Sequence, residues 1–394
     1  MRTCERLGES MTVRRPMAVA VALLCGCILV VAGCDAAGTA VTTITTITSG
    51  AATTTETAQL YPISVDGKWG FIDKTGTIKI EPQFDGVHHA YGQNSFCEGL
   101  AAVGITEDGI QKWGYIDAGG AWVIEPQFGR AGEFSEGMAP VAEPGDSKPS
   151  GYINTSGTLV IPMQYEGGSG FSQGLAMVTA REAGYPSSFI DETGATVLGP
   201  FDFALNFSEG LAYIEWGDRC GYIDKTGDRV IELPEGFGRC QHVSCCFSEE
   251  VALVESSDGE VERHGFIDTS GAWIIGPETN YFQDFSEGLA AAAVQKGGEL
   301  KWGYIDKTGA WVIEPQYDMV CSFSEGLAAV MLLENDVVTY GYIDKTGKMV
   351  ISPRRCTGAM PFSGGVAALT GLGSASDETP SYIDKTGKAI WQAQ

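Results

Sequence analysis

The chain has 394 residues, 44% of them hydrophobic, and sets 25 Lys and Arg against 50 Asp and Glu, a formal net charge of −25. Such a field disfavours nucleic acid and anionic lipid surfaces as partners and leaves cations, basic proteins and neutral glycans. The hydrophobic content is ample for a core, and the 53 Gly fit a fold rich in tight turns.

From the N-terminus, Arg14 and Arg15 precede an apolar run over residues 17–32. The run is too short for a confident membrane span and reads as a secretory signal peptide. Its end, Val31-Ala32-Gly33-Cys34, resembles the bacterial lipobox. That resemblance implies removal of residues 1–33 and lipidation of Cys34 as the first mature residue; a retained anchor or a different cleavage point are the other readings. Residues 34–58 are almost all Ala, Thr, Gly and Ser with a few Ile and Val, a composition expected of a tether. The expected location is the extracytoplasmic side of a bacterial cell membrane, with residues 59–394 displayed on a lipid anchor.

The rest is a repeat. An aromatic residue, Ile, and Asp or Asn recur nine times, starting at Phe71, Tyr115, Tyr152, Phe189, Tyr222, Phe266, Tyr304, Tyr342 and Tyr382, always with Gly three residues after the Asp or Asn. The period of 33 to 44 residues indicates an array of small units. It lowers the odds of catalysis, because similar units rarely supply one unique constellation.

The seventh unit is the cleanest, and three strands are predicted in it. Strand one starts at Leu289, strand two covers residues 302–306 and strand three covers 310–314. The Asp306-Lys307-Thr308-Gly309 link reads as a type I turn with a G1 bulge: Asp caps backbone amides and Gly takes a positive φ. The nine turn residues Asp73, Asp117, Asn154, Asp191, Asp224, Asp268, Asp306, Asp344 and Asp384 therefore have a backbone explanation that competes with any Ca²⁺ or catalytic role. Strand three is predicted to stop at Pro82, Pro126, Pro162, Pro200, Pro234, Pro277, Pro315 or Pro353, since Pro lacks a ladder amide. The next unit then presents Phe134, Phe171, Phe207, Phe247, Phe285, Phe323 or Phe362, expected to plug the seam between units.

These segments resemble the bacterial WG-repeat family, whose signature is a Trp-Gly pair in a segment like Lys301-Trp302-Gly303-Tyr304-Ile305-Asp306. The resemblance spans roughly residues 59–391 and implies an all-β repeat domain common in bacterial envelope proteins, with no activity attached to the motif. Trp69, Trp113 and Trp302 keep the Trp, whereas Cys220, His264 and Tyr340 replace it, which marks it as a packing residue.

Seven Cys remain after Cys34, and disulfides between neighbouring connections are the favoured expectation. Cys245 and Cys321 stand two residues before a plug Phe, where loops could be stapled. Cys240, His242, Cys245 and Cys246 could hold a soft metal, though their spacing matches no standard zinc pattern. No phosphate loop, nucleophile elbow or catalytic spacing is present, so no catalytic residue and no cofactor is expected.

The expected fold is all-β: about nine three-stranded antiparallel meanders in an open, solenoid-like array, with a closed propeller-like toroid as the alternative. The expected function is a non-catalytic surface module binding an unidentified protein or glycan. The alternative is a metal-handling or enzymatic envelope lipoprotein with its site in the Cys/His-rich central units. Lengthened links between strands one and two, at residues 105–112, 256–263 and 371–380, mark the partner side. Trp122, Trp273 and Trp311 recur in strand three and are expected to share the buried face of the Ile two residues on.

Overall fold

The computed structural model describes residues 59–88, 95–145, 149–182, 184–237, 245–257, 262–278, 280–371 and 380–392. Among the described residues every regular element is a strand, and the strands form nine small antiparallel sheets in chain order. Blade seven comprises Tyr281–Ser286, Leu289–Lys296, Glu299–Ile305 and Trp311–Tyr317, hydrogen-bonded in that order. The last three are the strands expected from the sequence. The leading strand is an addition, and in other blades it is as short as Gly86–Val87 or Met319–Val320, too brief to show an alternating pattern. Seven sheets therefore have four strands, not three; the first and sixth have three.

The Asp turn forms as its chemistry requires. In blade one the Gly76 amide donates to the Asp73 carbonyl (2.9 Å), and the Asp73 amide donates to Thr77 (2.9 Å). Asp73 Oδ1 accepts from the Thr75 amide (2.8 Å), the Thr75 hydroxyl (2.6 Å) and the Thr77 amide (3.1 Å). Gly76 sits at φ +82°, a conformation that penalises a Cβ. The ladder then slips by one: Phe71 pairs with Ile80, and Ile72 with Ile78. The repeated Ile lies at the centre of the core, with Ile72, Ile305 and Ile383 at most 2% exposed.

Strand three does not stop at its Pro. Pro82, Pro126, Pro162, Pro200, Pro277, Pro315 and Pro353 all lie inside the strand, and only Pro234 falls beyond its end. They sit at a bulge. In blade seven Trp302 pairs with Tyr317 and Tyr304 with Ile313, so three residues oppose the single Gly303 and the missing amide costs no ladder bond. This explains the Gly of the Trp-Gly pair. A Cβ on Gly303 would fall against the Ile313 carbonyl and 2.8 Å from Pro315 N. Blade four carries Ser188 in place of that Gly, and the glycine has moved across the ladder to Gly199, whose own Cβ would meet Ser188 Oγ at 2.8 Å.

The plug Phe works as expected. Phe134, Phe171, Phe207, Phe247, Phe285, Phe323 and Phe362 are all buried, each against the strand-two aromatic of the preceding blade, as in Tyr304–Phe323 at 4.7 Å between centroids. The same Tyr donates its hydroxyl to a carbonyl two residues before the plug: Tyr115 to Gly132, Tyr304 to Cys321, Tyr342 to Met360. Each seam thus buries an aromatic pair, and where that residue is Tyr its phenol is satisfied inside the seam; Phe71, Phe189 and Phe266 carry no hydroxyl.

The array closes on itself. The first and last blades share one core of Tyr61, Ile63, Ile72, Val366, Ala368 and Tyr382. Tyr61 takes the plug position, 5.7 Å from Tyr382, and Tyr382 donates to Pro62 O at 2.6 Å. Of the two forms left by the sequence, the molecule is the closed toroid, a nine-bladed β-propeller. Among the described residues no strand is shared between the first and last blades, and side chains perform the closure.

Candidate functional site

Register divides the propeller into two faces. Ala290 pairs with Ile305 and Lys296 with Glu299, so the Ser-Glu-Gly and Asp turns lie at one end of each blade. The strand one to strand two hairpins lie at the other.

The turn face is a continuous belt. Glu287 accepts the Gly326 amide of the next blade (3.0 Å), and Ser286 donates to the next plug carbonyl, Phe323 O (2.7 Å). Equivalent bonds join Glu98 to Gly137, Glu136 to Gly174, Glu249 to Gly288 and Glu325 to Gly365. In blade nine Gly364 replaces the Glu, because the entering chain at Gln59 and Tyr61 occupies the space where its side chain would start. In blades seven to nine the turn Lys reinforces the belt: Lys345 lies 3.1 Å from Glu287 and Lys385 2.9 Å from Glu325. Hydrogen bonding also lowers the pKa of turn carboxyls such as Asp306 and Asp344. For Asp306 the Thr308 hydroxyl is the main cause, followed by the Thr308 amide. The acceptors on this face are engaged in holding the ring.

The hairpin face varies from blade to blade. The hairpin of Leu100–Glu107 and Ile110–Asp117 carries Ile110 at 53% exposure, and Tyr185, Leu333 and Val337 are exposed on the other hairpins. Two hairpins are braced near their tips by an Asp: Asp318 accepts from Lys301 Nζ (2.6 Å) and from the Leu333 amide (2.7 Å). Asp85 repeats the arrangement with Lys68 and the Thr106 amide. Of the three lengthened links, residues 105–112 are wholly described, whereas 258–261 and 372–379 lie outside the described residues.

Cys34, Cys240 and His242 lie outside the described residues. Cys245 is disulfide-bonded and Cys246 is a buried thiol, so these two do not form a pair of thiolate ligands. Among the described residues no group of three His, Cys, Asp or Glu is placed to hold a metal ion. Cys97 is also disulfide-bonded, but Cys321 and Cys356 are not the loop staples expected. They are buried thiols in one core cluster with Tyr340 and Tyr342, where they pack as small apolar groups. Cys220, His264 and Tyr340, which replace the Trp of the Trp-Gly pair, are all buried. Trp122 and Trp311 are half-buried against the preceding blade's core, while Trp273 is 37% exposed.

One feature had no signature among the motifs. A surface cleft of about 260 Å³ opens between blades six and seven, bordered by Ile274, Trp311, Glu278, Asn280 and Thr308 over the buried Ile275, Phe282 and Ile305, and the surface it exposes is mostly polar. The Asn280 amide donates to Glu278 Oε2 (2.7 Å), and the buried His264 bonds the Asn280 carbonyl through Nδ1 (3.1 Å). The usable signal was Gly276, which stands where blade seven has Glu314.

The model of the WG-containing repeat matches six segments: residues 69–104, 113–143, 151–180, 265–299, 302–334 and 340–369. No curated protein matches the chain. Among solved structures, a eukaryotic initiation factor superposes with a TM-score of 0.56 at 12% identity, covering 84% of this chain and 95% of that one. An acylaminoacyl peptidase of Pyrococcus horikoshii gives 0.40 at 10% identity over 75% and 51% of the two chains. A puromycin hydrolase gives 0.37 at 14% over 67% and 53%. The first of these likenesses supports the propeller fold and nothing further. With the Trp-Gly signature, the nine blades and six matched repeats in hand, the chain belongs to the family of WG-containing repeat proteins.

Proposed function

We propose that the mature protein is a lipid-anchored, non-catalytic binding module on a bacterial cell surface, which engages a protein through the hairpin face of its propeller. The observation that carries this reading is the division of labour between faces. The recurring Asp, Ser, Glu, Tyr and Phe are committed to turns and seams, whereas the lengthened link at residues 105–112 and the exposed Ile110, Tyr185 and Leu333 lie on the opposite face. Disulfides at Cys97 and Cys245 support an oxidising compartment, in keeping with export. The Val31-Ala32-Gly33-Cys34 segment supports the anchor.

Anchoring is tested by metabolic labelling with a fatty-acid analogue. Label should appear on the parent and vanish in Cys34→Ala; label retained by the variant contradicts the anchor. Partner class is tested by capture on immobilised mature protein. A basic protein should bind more weakly as salt rises through physiological strength, and salt-insensitive capture of a neutral glycan would replace the protein reading with the glycan one.

A further inference from the structure

We propose that the turn ends of blades eight, nine and one rest on the anionic headgroups of the membrane that carries the anchor, leaving the hairpin face directed away from it. The inference rests on the reading of Cys34 as lipidated and gives the anchored propeller an orientation.

Charge is spread unevenly over the turn face. Lys74, Lys79, Lys345, Lys348, Lys385 and Lys388 stand at the turn ends of these three adjacent blades, all exposed. Blades two, three and four have Ala118, Thr155 and Glu192 where these turns have Lys74, Lys345 and Lys385. They have Ala121, Thr158 and Ala195 where blades eight and nine have Lys348 and Lys388. Carboxyls are fewer in the same sector, since blade nine carries Gly364 in place of the belt Glu. Lys79 pairs with Asp73, Lys345 with Glu287 and Lys385 with Glu325. Lys74, Lys348 and Lys388 enter no ion pair among the described residues. Arg354 adds a guanidinium that donates to the Gly387 carbonyl in the blade-nine turn.

The chain enters the propeller inside this sector. Tyr61 donates to Ser363 O at 2.8 Å, and Gln59 lies against Gly364. The segment running back to Cys34 therefore leaves from the turn face, between blades nine and one. Residues 34–58 reach no farther than about 90 Å even when fully extended, and this sector is the part of the propeller nearest the anchor along the chain.

The net charge of −25 does not prevent the contact. Screening limits the reach of a charge to about 8 Å at physiological ionic strength. The eight residues of Leu327–Glu334 place the hairpin end roughly 26 Å from the turn end. The turn ends of blades two to seven lie to the side, so the propeller meets the bilayer tilted onto its basic sector. Each Lys held near an anionic surface strengthens binding roughly fivefold.

The test places the lipidated protein in vesicles of phosphatidylcholine, alone or mixed with phosphatidylglycerol. A dye attached through Thr346→Cys, Thr155→Cys or Leu333→Cys reports its distance to the bilayer by energy transfer to headgroup-labelled lipid. Transfer from position 346 should exceed that from 155 and 333 on the anionic vesicles, and high salt should remove the excess. Lys74→Gln, Lys348→Gln and Lys388→Gln combined should remove it as well. Unanchored Cys34→Ala protein should sediment with anionic but not neutral vesicles, and each of the three Lys substitutions should weaken that binding roughly fivefold. Transfer that ignores lipid charge, position 333 lying nearest the bilayer, or an unaffected triple variant would overturn the proposal. Release by millimolar inorganic phosphate would overturn it too, by marking a discrete phosphate site. Absence of the lipid refutes the anchor and leaves sedimentation of Cys34→Ala to decide the sector; anchored protein without charge-dependent transfer refutes the sector alone.

Discussion

The hydroxyl of Tyr382 donates to the carbonyl of Pro62 at 2.6 Å, across 320 positions of sequence. It repeats at the ring's closing seam the bond that Tyr304 makes to Cys321 inside the array. The ends of the propeller are thus joined by a Tyr-to-carbonyl bond of the kind found at the Tyr seams of its middle, although here the acceptor follows the plug ring Tyr61 instead of preceding it by two residues. Burial, with a smaller contribution from Tyr61, holds the Tyr382 phenol well above its ordinary pKa, so it remains a donor at any physiological pH.

Tyr382→Phe should cost about 1–3 kcal/mol, since it leaves the buried Pro62 carbonyl without its donor. Tyr304→Phe should cost a similar amount, because it too strips a buried carbonyl of its phenol donor. Urea unfolding of both variants checks this. A silent Tyr382→Phe beside a destabilised Tyr304→Phe would mean that the closing seam carries no load.

Ile305→Ala should destabilise by about 2–5 kcal/mol, as the side chain is 2% exposed. Gly309→Val should also destabilise, because Gly309 lies at φ +81° where a β-branched residue is strained. Thermal melts matching the parent would contradict the turn assignment.

Gly303→Ala should cost about 1–3 kcal/mol, because the added methyl is driven into the backbone of the Pro315 bulge. Gly276→Ala, in the outer strand of blade six and facing open space, should change stability by no more than about 0.5 kcal/mol. The pair separates the steric demand of the Trp-Gly motif from any general effect of glycine on strands.

Acid should weaken the ring through its turn carboxyls. For Asp73, desolvation raises the pKa, but hydrogen bonds from Thr75, Lys79 and Thr77 outweigh it and bring the value to about 2. The same direction holds for Asp191, Asp224, Asp268, Asp306, Asp344 and Asp384. A carboxyl depressed below its unfolded value of about 3.9 contributes stability above that pH and loses it as pH falls toward 2. Asp306→Asn should keep the fold, as Asn154 does naturally in blade three, and should lessen the acid dependence. Denaturant midpoints from pH 7 to pH 2 provide the measurement.

Much of the fold was legible because it is repeated. Eight Asp turns and one Asn turn, their nine positive-φ glycines and seven plug Phe residues each state a local backbone or packing need, and repetition raises them above noise. What escaped was written only once or too briefly. A leading strand such as Gly86–Val87 has no period, and the Pro bulge depends on counting residues across a ladder. Closure rests on Tyr61 standing in for a Phe. The cleft at blades six and seven is a local lack of packing, and an absence leaves no motif; Gly276 opposite a loosened Gly309 was its trace.

The central claim is that the hairpin face meets the partner while the turn face holds the ring. A photo-crosslinking residue placed at Ile110 or Leu333 on the hairpin face, and at Thr155 or Thr346 on the turn face, tests it in cells producing the full chain. Discrete adducts to one protein from Ile110 and Leu333, with none from Thr155 or Thr346, are the predicted result. Adducts from the turn face alone, or from none of the four positions, would contradict it.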